Sequence, residues 1–286
     1  MRHRSDAGGE RRLAGRGRPD GPSVARIFDC YLGGSSHFEV DERHAAELEA
    51  VLPNIRVHVR ELHGFLRRAV QHLAEQGIEQ FLDLGTGLPT VGDVHRMAQR
   101  VNPDARVAYV DADELTVRMA EAQLAGARGV SVAHADLCEP SSVLTSPGVT
   151  SLLDFTRPVG VLAMAALPFI ADYSELVGVV AAYRDACSVG SALVASHLSP
   201  VAATPAQIEG FSRLAGRIGT RPVWRAPEDF RAVFDGFELV EPGLVHTPEW
   251  RPVGGVAPGD AAAIDAVSAV GIVVDRKETG PLKITL

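Results

Sequence analysis

The sequence predicts a doubly wound α/β fold, and three observations support this prediction. Short apolar runs of strand length recur from residue 80 onward. The first five runs are almost continuously apolar, as expected of parallel strands that are covered on both faces. The intervals between the runs are long enough for crossover helices. We therefore expect a mainly parallel sheet enclosed by two layers of helices.

The N-terminal part of the chain differs in composition from the remainder. Residues 1–22 contain six arginines, five glycines and few apolar side chains, so we expect a disordered tail. Residues 23–76 carry apolar positions spaced three and four apart, which predicts two or three helices. The segment YLGGSSHF at 31–38 interrupts them with paired glycines and is expected to be a loop.

Residues 77–276 are predicted to form the sheet-containing domain, and residues 277–286 a C-terminal tail. Residues 254–263 are expected to be a loop or linker between the last two strands. The predicted strands are 80–84, 106–111, 130–135, 159–167, 191–198, 237–241 and 270–276.

Composition excludes several classes of protein. A net charge of -8 disfavours nucleic acid as a partner, because binding to phosphates needs a dense positive surface. The three cysteines, Cys30, Cys138 and Cys187, are far apart and form no CxxC pair, which favours a reducing compartment. No apolar run reaches the length of about 20 residues that a membrane span needs, and no secretory signal is evident. We expect a soluble cytoplasmic protein without a membrane partner.

The segment FLDLGTGLPTVGDV at 81–94 places a glycine turn between a buried strand and a helix. In open α/β sheets this turn is a ligand site, because backbone N–H groups and the helix N-terminus point out of the sheet there. Gly85 and Gly87 allow a sharp bend and a close approach to the ligand. Thr90 stands where a dinucleotide fingerprint needs a third glycine, and Asp83 would repel a pyrophosphate. The turn therefore favours a ligand with a cationic amine or sulfonium.

Two further strand ends carry carboxylates. Asp111, with Asp113 as the alternative, would accept hydrogen bonds from the two hydroxyls of a ribose. Asp136 would reach the exocyclic amine of an adenine, while Leu137 would stack on its face. Each aspartate alone would fit a helix N-cap equally well. Their occurrence at three successive strand ends favours a nucleoside site.

These segments resemble a known family. FLDLGTGLPT, AYVDAD and HADL are similar to the first three motifs of class I S-adenosylmethionine (SAM) methyltransferases. More narrowly, PSVARIFDCYLGGSSHF, the spacing to FLRRAV, LLDFTRPVGVLAM and EPGLVHTPEWRP resemble an actinobacterial family of SAM-dependent methyltransferases. The resemblance covers roughly residues 22–276.

The resemblance implies a Rossmann-like, seven-stranded sheet with an antiparallel last strand, and an N-terminal helical lid over residues 23–76. SAM would lie over the ends of the first four strands, with its methionine portion at the glycine turn and its sulfonium beside Ala165 and Ala166. The implied lid residues are Arg26, Tyr31, Gly33 and Gly34. The implied cofactor-binding residues of the sheet domain are Asp83, Gly85, Thr86, Gly87, Asp111, Ala112, Asp136, Leu137 and Ala165.

The chain departs from the family pattern at several polar positions. Ser35 and Ser36 replace a lysine and an acid or amide after the paired glycines, and Pro168 replaces a histidine after the fourth strand. Leu62 and His63 replace an Asn-Arg pair. Cofactor binding is therefore better supported than a particular transfer reaction.

Methyl transfer needs alignment of the reactants, and a general base only where the acceptor must lose a proton. Candidate bases are His37, His63 and His197, and Tyr31 would orient an acceptor. No histidine or cysteine pattern predicts a metal site. We expect an enzyme that methylates an unidentified small molecule, in an oligomeric state that the sequence leaves open. The alternatives are a non-catalytic regulatory protein that binds SAM or its demethylated product S-adenosylhomocysteine (SAH), and, more weakly, a nicotinamide-dependent oxidoreductase.

Overall fold

A computed structural model describes residues 21–89, 93–219, 221–255 and 264–275. Nearly all of the tail predicted at 1–22, the C-terminal tail predicted at 277–286 and most of the linker predicted at 254–263 lie outside the described residues.

Three helices precede the sheet, as the apolar spacing predicts. They are α1 (Val24–Leu32), α2 (Glu39–Val51) and α3 (Ile55–Glu75). Ser23 caps α1 by accepting a hydrogen bond from the N–H of Arg26, and Gly33 ends the helix in the left-handed conformation, at φ 78°. The apolar sides of the three helices pack together around Tyr31, Leu48 and Val59.

The central sheet has the predicted doubly wound topology. Its strand order is β3-β2-β1-β4-β5-β8-β6, and the chain reverses direction across the sheet between β1 and β4. The first five strands are parallel, whereas β8 is antiparallel to both β5 and β6. The strands are β1 (Gln80–Leu84), β2 (Arg106–Asp111), β3 (Val130–His134), β4 (Gly160–Ala163), β5 (Ala192–Leu198), β6 (Phe237–Leu239), β7 (Val245–His246) and β8 (Ala266–Val273).

Three details of the sheet differ from the prediction. Strand β4 ends at Ala163 rather than at 167, because Ala165 adopts a positive φ of 53° and Leu167–Phe169 form a 3-10 turn. The last strand begins at Ala266, since it pairs with β5 along its whole length. The short strand β7 pairs with β8 and was not predicted.

Helices cover both faces of the sheet, and successive strand residues point to opposite cores. On β1, Phe81 joins the core beneath α3, whereas Leu82 and Leu84 join the core on the other face. The remaining helices are α4 (Val94–Gln99), α5 (Glu114–Gln123), α6 (Pro140–Thr145), α7 (Pro147–Thr150), α8 (Tyr173–Ala186), α9 (Pro205–Arg217) and α10 (Pro227–Ala232).

Helix α3 connects the N-terminal helices to the sheet. Phe65 packs edge-on against the buried Trp250, with ring centroids 5.3 Å apart. Arg68 donates hydrogen bonds to the carbonyl oxygens of Trp250 and Thr247, at 2.7 and 3.1 Å. The described part of the chain contains no helix long and apolar enough to cross a membrane.

Candidate cofactor site

The glycine turn after β1 is held by backbone hydrogen bonds to the neighbouring strand. The N–H groups of Gly85 and Thr86 both donate to the carbonyl oxygen of Val110, at 2.8 and 3.1 Å. Gly85 and Gly87 have φ values of 68° and 63°, which L side chains rarely adopt. A Cβ at Gly85 would lie only 2.8 Å from the Cβ of Ala166. The sequence therefore needs glycine at this position for conformational and for steric reasons.

Asp111, at the end of β2, braces this turn. Its Oδ2 accepts from the N–H of Gly87 and its Oδ1 from the N–H of Asp113, both at 2.9 Å. Each oxygen keeps a second lone pair for a ligand hydroxyl. Burial raises the pKa of Asp111, so the cavity disfavours its charge in the absence of a cation.

Asp83, at the end of β1, is buried, with 5% of its surface exposed. Its Oδ2 accepts a hydrogen bond of 2.9 Å from the hydroxyl of Thr86. Burial raises its pKa to about 7. The charge of Asp111 raises the pKa as well, whereas the hydrogen bond from Thr86 lowers it. A positively charged ligand would reverse this shift.

The other two predicted aspartates accept local backbone hydrogen bonds. Asp113 caps α5 by accepting from the N–H of Thr116 at 2.7 Å. Asp136 does not cap a helix but accepts from the N–H of Cys138 at 2.9 Å, in the turn before α6. Both also line the cavity above the sheet, together with Ala112 and Leu137. Each side chain therefore combines a local structural role with cavity lining.

The first helix covers the turn and closes the cavity. A Cβ at Gly87 would lie 3.6 Å from the Cβ of Ala25 on α1. The enclosed space has a volume of about 290 Å³. It is bounded by the turn, by the ends of β1–β4 and by residues of α1 and α3, and Ala165 and Ala166 line the β4 side.

The lining is strongly acidic. No lysine or arginine is among the described lining residues, although Arg96 pairs with Asp93 from outside the lining at 3.2 Å. An anionic ligand would find little compensation here, whereas a cation would be attracted. Six aspartates line it: Asp29, Asp83, Asp93, Asp111, Asp113 and Asp136.

Sequence reasoning missed two of these acids. Asp29 on α1 and Asp93, just before α4, each have an Oδ1 atom that is buried and has no hydrogen-bond partner among the described residues. Burial raises the pKa of Asp93. A buried oxygen without a donor is costly, which indicates that a ligand donor belongs beside it. The position of Asp93 at a helix start was a usable signal, but no pattern pointed to Asp29.

Several predicted lid residues lie outside the lining of the cavity, namely Arg26, Tyr31, Gly33 and Gly34. Arg26 is buried in an ion pair of 2.7 Å with Asp41, and Tyr31 donates its hydroxyl hydrogen bond to the carbonyl oxygen of Ala45 at 2.8 Å. Both side chains therefore hold α1 against α2. Gly33 is the helix cap described above, and a side chain at Gly34 would collide with Asp29.

The candidate bases are separated in space. His37 lies outside the cavity lining and contacts Asp29 and Glu42, at 2.7 and 3.2 Å. His63 lines the cofactor cavity.

His197 lies outside the lining of this cavity and borders a second one, and both of its ring nitrogens are hydrogen-bonded. Its Nδ1 donates to the carbonyl oxygen of Leu198 at 2.8 Å, and its Nε2 accepts from Arg225 at 2.9 Å. Because a carbonyl only accepts and a guanidinium only donates, the ring is held neutral. Burial lowers its pKa to about 4. The proposal that His197 is a free base does not fit this geometry.

A second, smaller cavity of about 120 Å³ adjoins the first. Five residues line both: Phe28, Val59, Leu62, Ala165 and Phe169. Pro168, one of the departures from the family pattern, lines the second cavity only.

Comparisons with known proteins agree with this architecture. A candidate methyltransferase from Thermobifida fusca YX is 37% identical, with a TM-score of 0.82, and the match covers 89% of this chain and 96% of that one. A DUF574 family protein from Streptomyces avermitilis MA-4680 is 32% identical, with a TM-score of 0.83, and the match covers 89% and 98% of the two chains. No curated protein matches the sequence.

The fold is that of the class I methyltransferases, as the sequence predicts. A family model described as S-adenosyl methyltransferase matches residues 18–274, almost the whole of the segment that carries the sheet and the preceding helices. The chain therefore belongs to the S-adenosyl methyltransferase family.

Proposed function

We propose that this protein is a SAM-dependent methyltransferase that acts on a small molecule. The observation that supports this proposal best is the acidic cavity over the glycine turn, which opens onto a second cavity large enough for part of an acceptor. The narrower, actinobacterial subgroup, the cytoplasmic location, and the absence of nucleic-acid and membrane partners are parts of the same proposal.

The residues present fit SAM. SAM carries an ammonium, a sulfonium and one carboxylate, so its net charge is positive. The lining supplies carboxylates for the two cations, two of which, Asp29 and Asp93, have an unpartnered oxygen. The ligand's own carboxylate would rely on hydrogen-bond donors such as backbone N–H groups, since the described lining holds no lysine or arginine. When bound, SAM supplies an electrophilic methyl group on a positively charged sulfur. The acidic walls would attract that charge, and the closed lid would exclude water from the reacting atoms.

Each portion of the nucleoside has a candidate partner. Asp111 would accept from the ribose hydroxyls with its remaining lone pairs, while Ala112 would lie beside the ring. Asp136 would accept from the adenine amine, with Leu137 against the base. The backbone at Gly85, Thr86 and Gly87, with Asp83 behind it, would hold the methionine portion. Ala165 would leave room for the methyl group.

A nicotinamide dinucleotide fits less well. Its pyrophosphate would lie at the glycine turn, which is lined by the buried Asp83 and the half-buried Asp111, with no lining cation among the described residues. A pyrophosphate and carboxylates repel each other in a partly dry cavity.

The departures from the family pattern have structural roles that do not obstruct the cavity. Ser36 donates its N–H to Asp29 at 2.8 Å and accepts a hydrogen bond from Gln123 of α5 with its hydroxyl, also at 2.8 Å. These bonds hold the lid loop closed. Leu62 lies where the two cavities meet. Because the two cavities adjoin, an acceptor in the second could reach a cofactor in the first, which favours an enzyme over a non-catalytic binding protein.

Isothermal titration of the full chain with SAM and with SAH tests the binding. We expect both to bind and both to raise the melting temperature, in proportion to ligand concentration over Kd. Transfer of a labelled methyl group to a panel of small acceptors tests the catalysis. Absence of heat and of a thermal shift with both ligands would reject the function, and saturable binding of NAD would favour the oxidoreductase.

A further inference from the structure

The second cavity has aromatic side chains in a mainly apolar lining. Its walls include Phe28, Phe169, Phe211 and Trp224. Phe211 and Trp224 pack edge to face, with centroids 5.9 Å apart. An engineered cavity of about 150 Å³ in another protein is known to hold benzene. The second cavity is somewhat smaller, at about 120 Å³, but it shares five lining residues with the adjoining cofactor cavity, so its size suits a single aromatic ring and no larger ring system.

The charges around this cavity exclude an ionic occupant. Asp265 lines it, but one of its oxygens already accepts from the N–H groups of Val201, Ala202 and Ala203, at 3.0, 2.7 and 2.8 Å. No lysine or arginine is among the described lining residues, so a carboxylate would lack a counter-ion. A neutral occupant is favoured.

The lining presents two polar groups to an occupant, Trp224 and the half-buried His58. The indole Nε1 of Trp224 is buried and has no hydrogen-bond acceptor in the described part of the chain. The side chain of His58 makes no hydrogen bond to any described residue, although it is close enough to Asp265 for their charges to interact. Burial lowers the pKa of His58 to about 4, so its ring is neutral at physiological pH and can accept a proton.

Helix α3 relates His58 to the cofactor cavity. His58 and Leu62 are four residues apart and so lie on the same side of the helix, about 6 Å apart along its axis. Leu62 lies where the two cavities join, while His63, the next residue, lines the cofactor cavity. His58 is therefore one helical turn away from the junction.

We propose that the second cavity binds the methyl acceptor, that the acceptor is a neutral single-ring aromatic alcohol of the phenol class, and that His58 takes the proton of its hydroxyl group. The indole N–H of Trp224 donates to an oxygen of the same molecule. This inference rests on the proposed function, because it assumes that SAM occupies the neighbouring cavity.

The methyl transfer needs only SAM, the phenol, His58 and water. The phenol oxygen forms a bond to the methyl carbon, and the carbon–sulfur bond breaks with its electron pair remaining on sulfur. The hydroxyl proton passes to His58, whose imidazolium form is stabilised by the charge of Asp265 and later loses the proton to water. The products are a methyl ether and SAH.

The binding test uses 4-methylphenol as the probe and the protein saturated with SAH. We expect 4-methylphenol to bind at least about tenfold more tightly than 4-methylbenzoate, 4-methylbenzylamine or 4-methylcyclohexanol, because these are charged or lack a flat ring. Trp224→Phe should weaken its binding about fivefold, since one hydrogen bond is lost. Trp250→Phe is the matched control, because it removes an equally unpartnered indole N–H outside both cavities.

The catalytic test compares two phenols in the presence of SAM. His58→Asn should lower kcat for 4-methylphenol by about 10²–10⁴-fold, the usual contribution of a general base. It should lower kcat for 4-nitrophenol by less than about tenfold, because that phenol binds in its neutral form but is far more acidic and loses its proton without a strong base. His72→Asn, on the exposed end of the same helix, should leave both rates unchanged.

The outcomes separate this inference from the proposed function. Failure of SAH to bind would overturn both. Binding of SAH without preferential binding of 4-methylphenol would overturn the acceptor assignment alone. Equal losses of kcat for the two phenols in His58→Asn, or no transfer to either phenol by the unmodified protein, would overturn the role of His58.

Discussion

The N–H of Gly87 donates a hydrogen bond of 2.9 Å to Oδ2 of Asp111. This contact joins the turn after β1 to the end of β2, and its acceptor is the carboxylate expected to hold the ribose. Asp111 therefore shapes the loop and, in the proposed function, would also bind the ribose, so that a change at this residue should affect both stability and cofactor affinity.

Asp111→Asn should lower both the stability of the fold and the affinity for the cofactor. The amide has one acceptor oxygen for the two N–H groups of Gly87 and Asp113, so one buried donor loses its partner, at a cost of about 1–3 kcal/mol. Loss of the charge should also weaken SAH binding by roughly 10–100-fold. Urea denaturation and isothermal titration measure the two effects. Asp104→Asn, at an exposed loop, should change neither.

Gly85→Ala should destabilise the protein and weaken cofactor binding. The residue has a positive φ, and the new methyl group would lie 2.8 Å from Ala166, so we expect a loss of about 1–3 kcal/mol. Gly178→Ala is the matched control, because this exposed glycine of α8 has open space at the Cβ position. It should raise the free energy of unfolding by about 0.5–1 kcal/mol. Similar effects of both changes would contradict the strained geometry of the turn.

Asp83 should make the ligand-free protein less stable as pH rises. Its pKa is 3.8 in the unfolded chain and about 7 in the folded one. Between these values the folded state holds the proton while the unfolded state has lost it, so the free energy of unfolding falls with rising pH. Above about pH 7 the full penalty, of the order of a few kcal/mol, is present.

Asp83→Asn should remove this part of the pH dependence. Chemical denaturation at pH 5 and pH 8 gives the difference in stability for the unmodified and the altered protein. The altered protein should lose less stability between the two pH values. An identical loss in both proteins would show that Asp83 ionises normally.

Binding of SAM should expel the proton from Asp83. A nearby sulfonium and ammonium favour the carboxylate, so SAM affinity should rise between pH 6 and pH 8. Titrations in two buffers of different ionisation enthalpy count the protons released. SAH lacks the sulfonium charge and should release fewer protons, which makes it the control ligand.

Arg68→Met should loosen the attachment of α3 to the sheet. The carbonyl oxygens of Trp250 and Thr247 would lose their donor, with a loss of about 1–3 kcal/mol in the free energy of unfolding. Arg67→Met, at the exposed neighbouring position, should have little effect. Urea denaturation measures the stability of the two variants. Equal midpoints would show that the hydrogen bonds of Arg68 do not stabilise the attachment of α3.

Much of the fold was predictable because it depends on local patterns. The strands β1, β2, β3 and β5 lie within a residue of their predicted bounds. Strand β4 was predicted too long, since the positive φ of Ala165 follows from its surroundings, including a hydrogen bond from its N–H to the hydroxyl of Ser196. Strand β7 was missed because two residues carry no periodicity.

The candidate site was predictable only where it lies on strand ends. Asp83, Asp111 and Asp136 are brought together because parallel strands end at one edge of the sheet. Asp29 and His58 were missed, since they lie on helices whose placement over that edge depends on packing with distant segments. Tyr31 and Arg26 were expected in the cavity, but their partners on α2 turn them away.

The sequence by itself determined the order of strands and helices, the glycine turn and the row of carboxylates beside it, because each depends on neighbours along the chain. The tertiary structure alone decided which histidines can react. Arg225, 28 residues along the chain from His197, donates a hydrogen bond to Nε2 of that ring. His58 and His63 both lie on α3 but line different cavities. Such contacts arise from the packing of separate elements, and no local pattern records them.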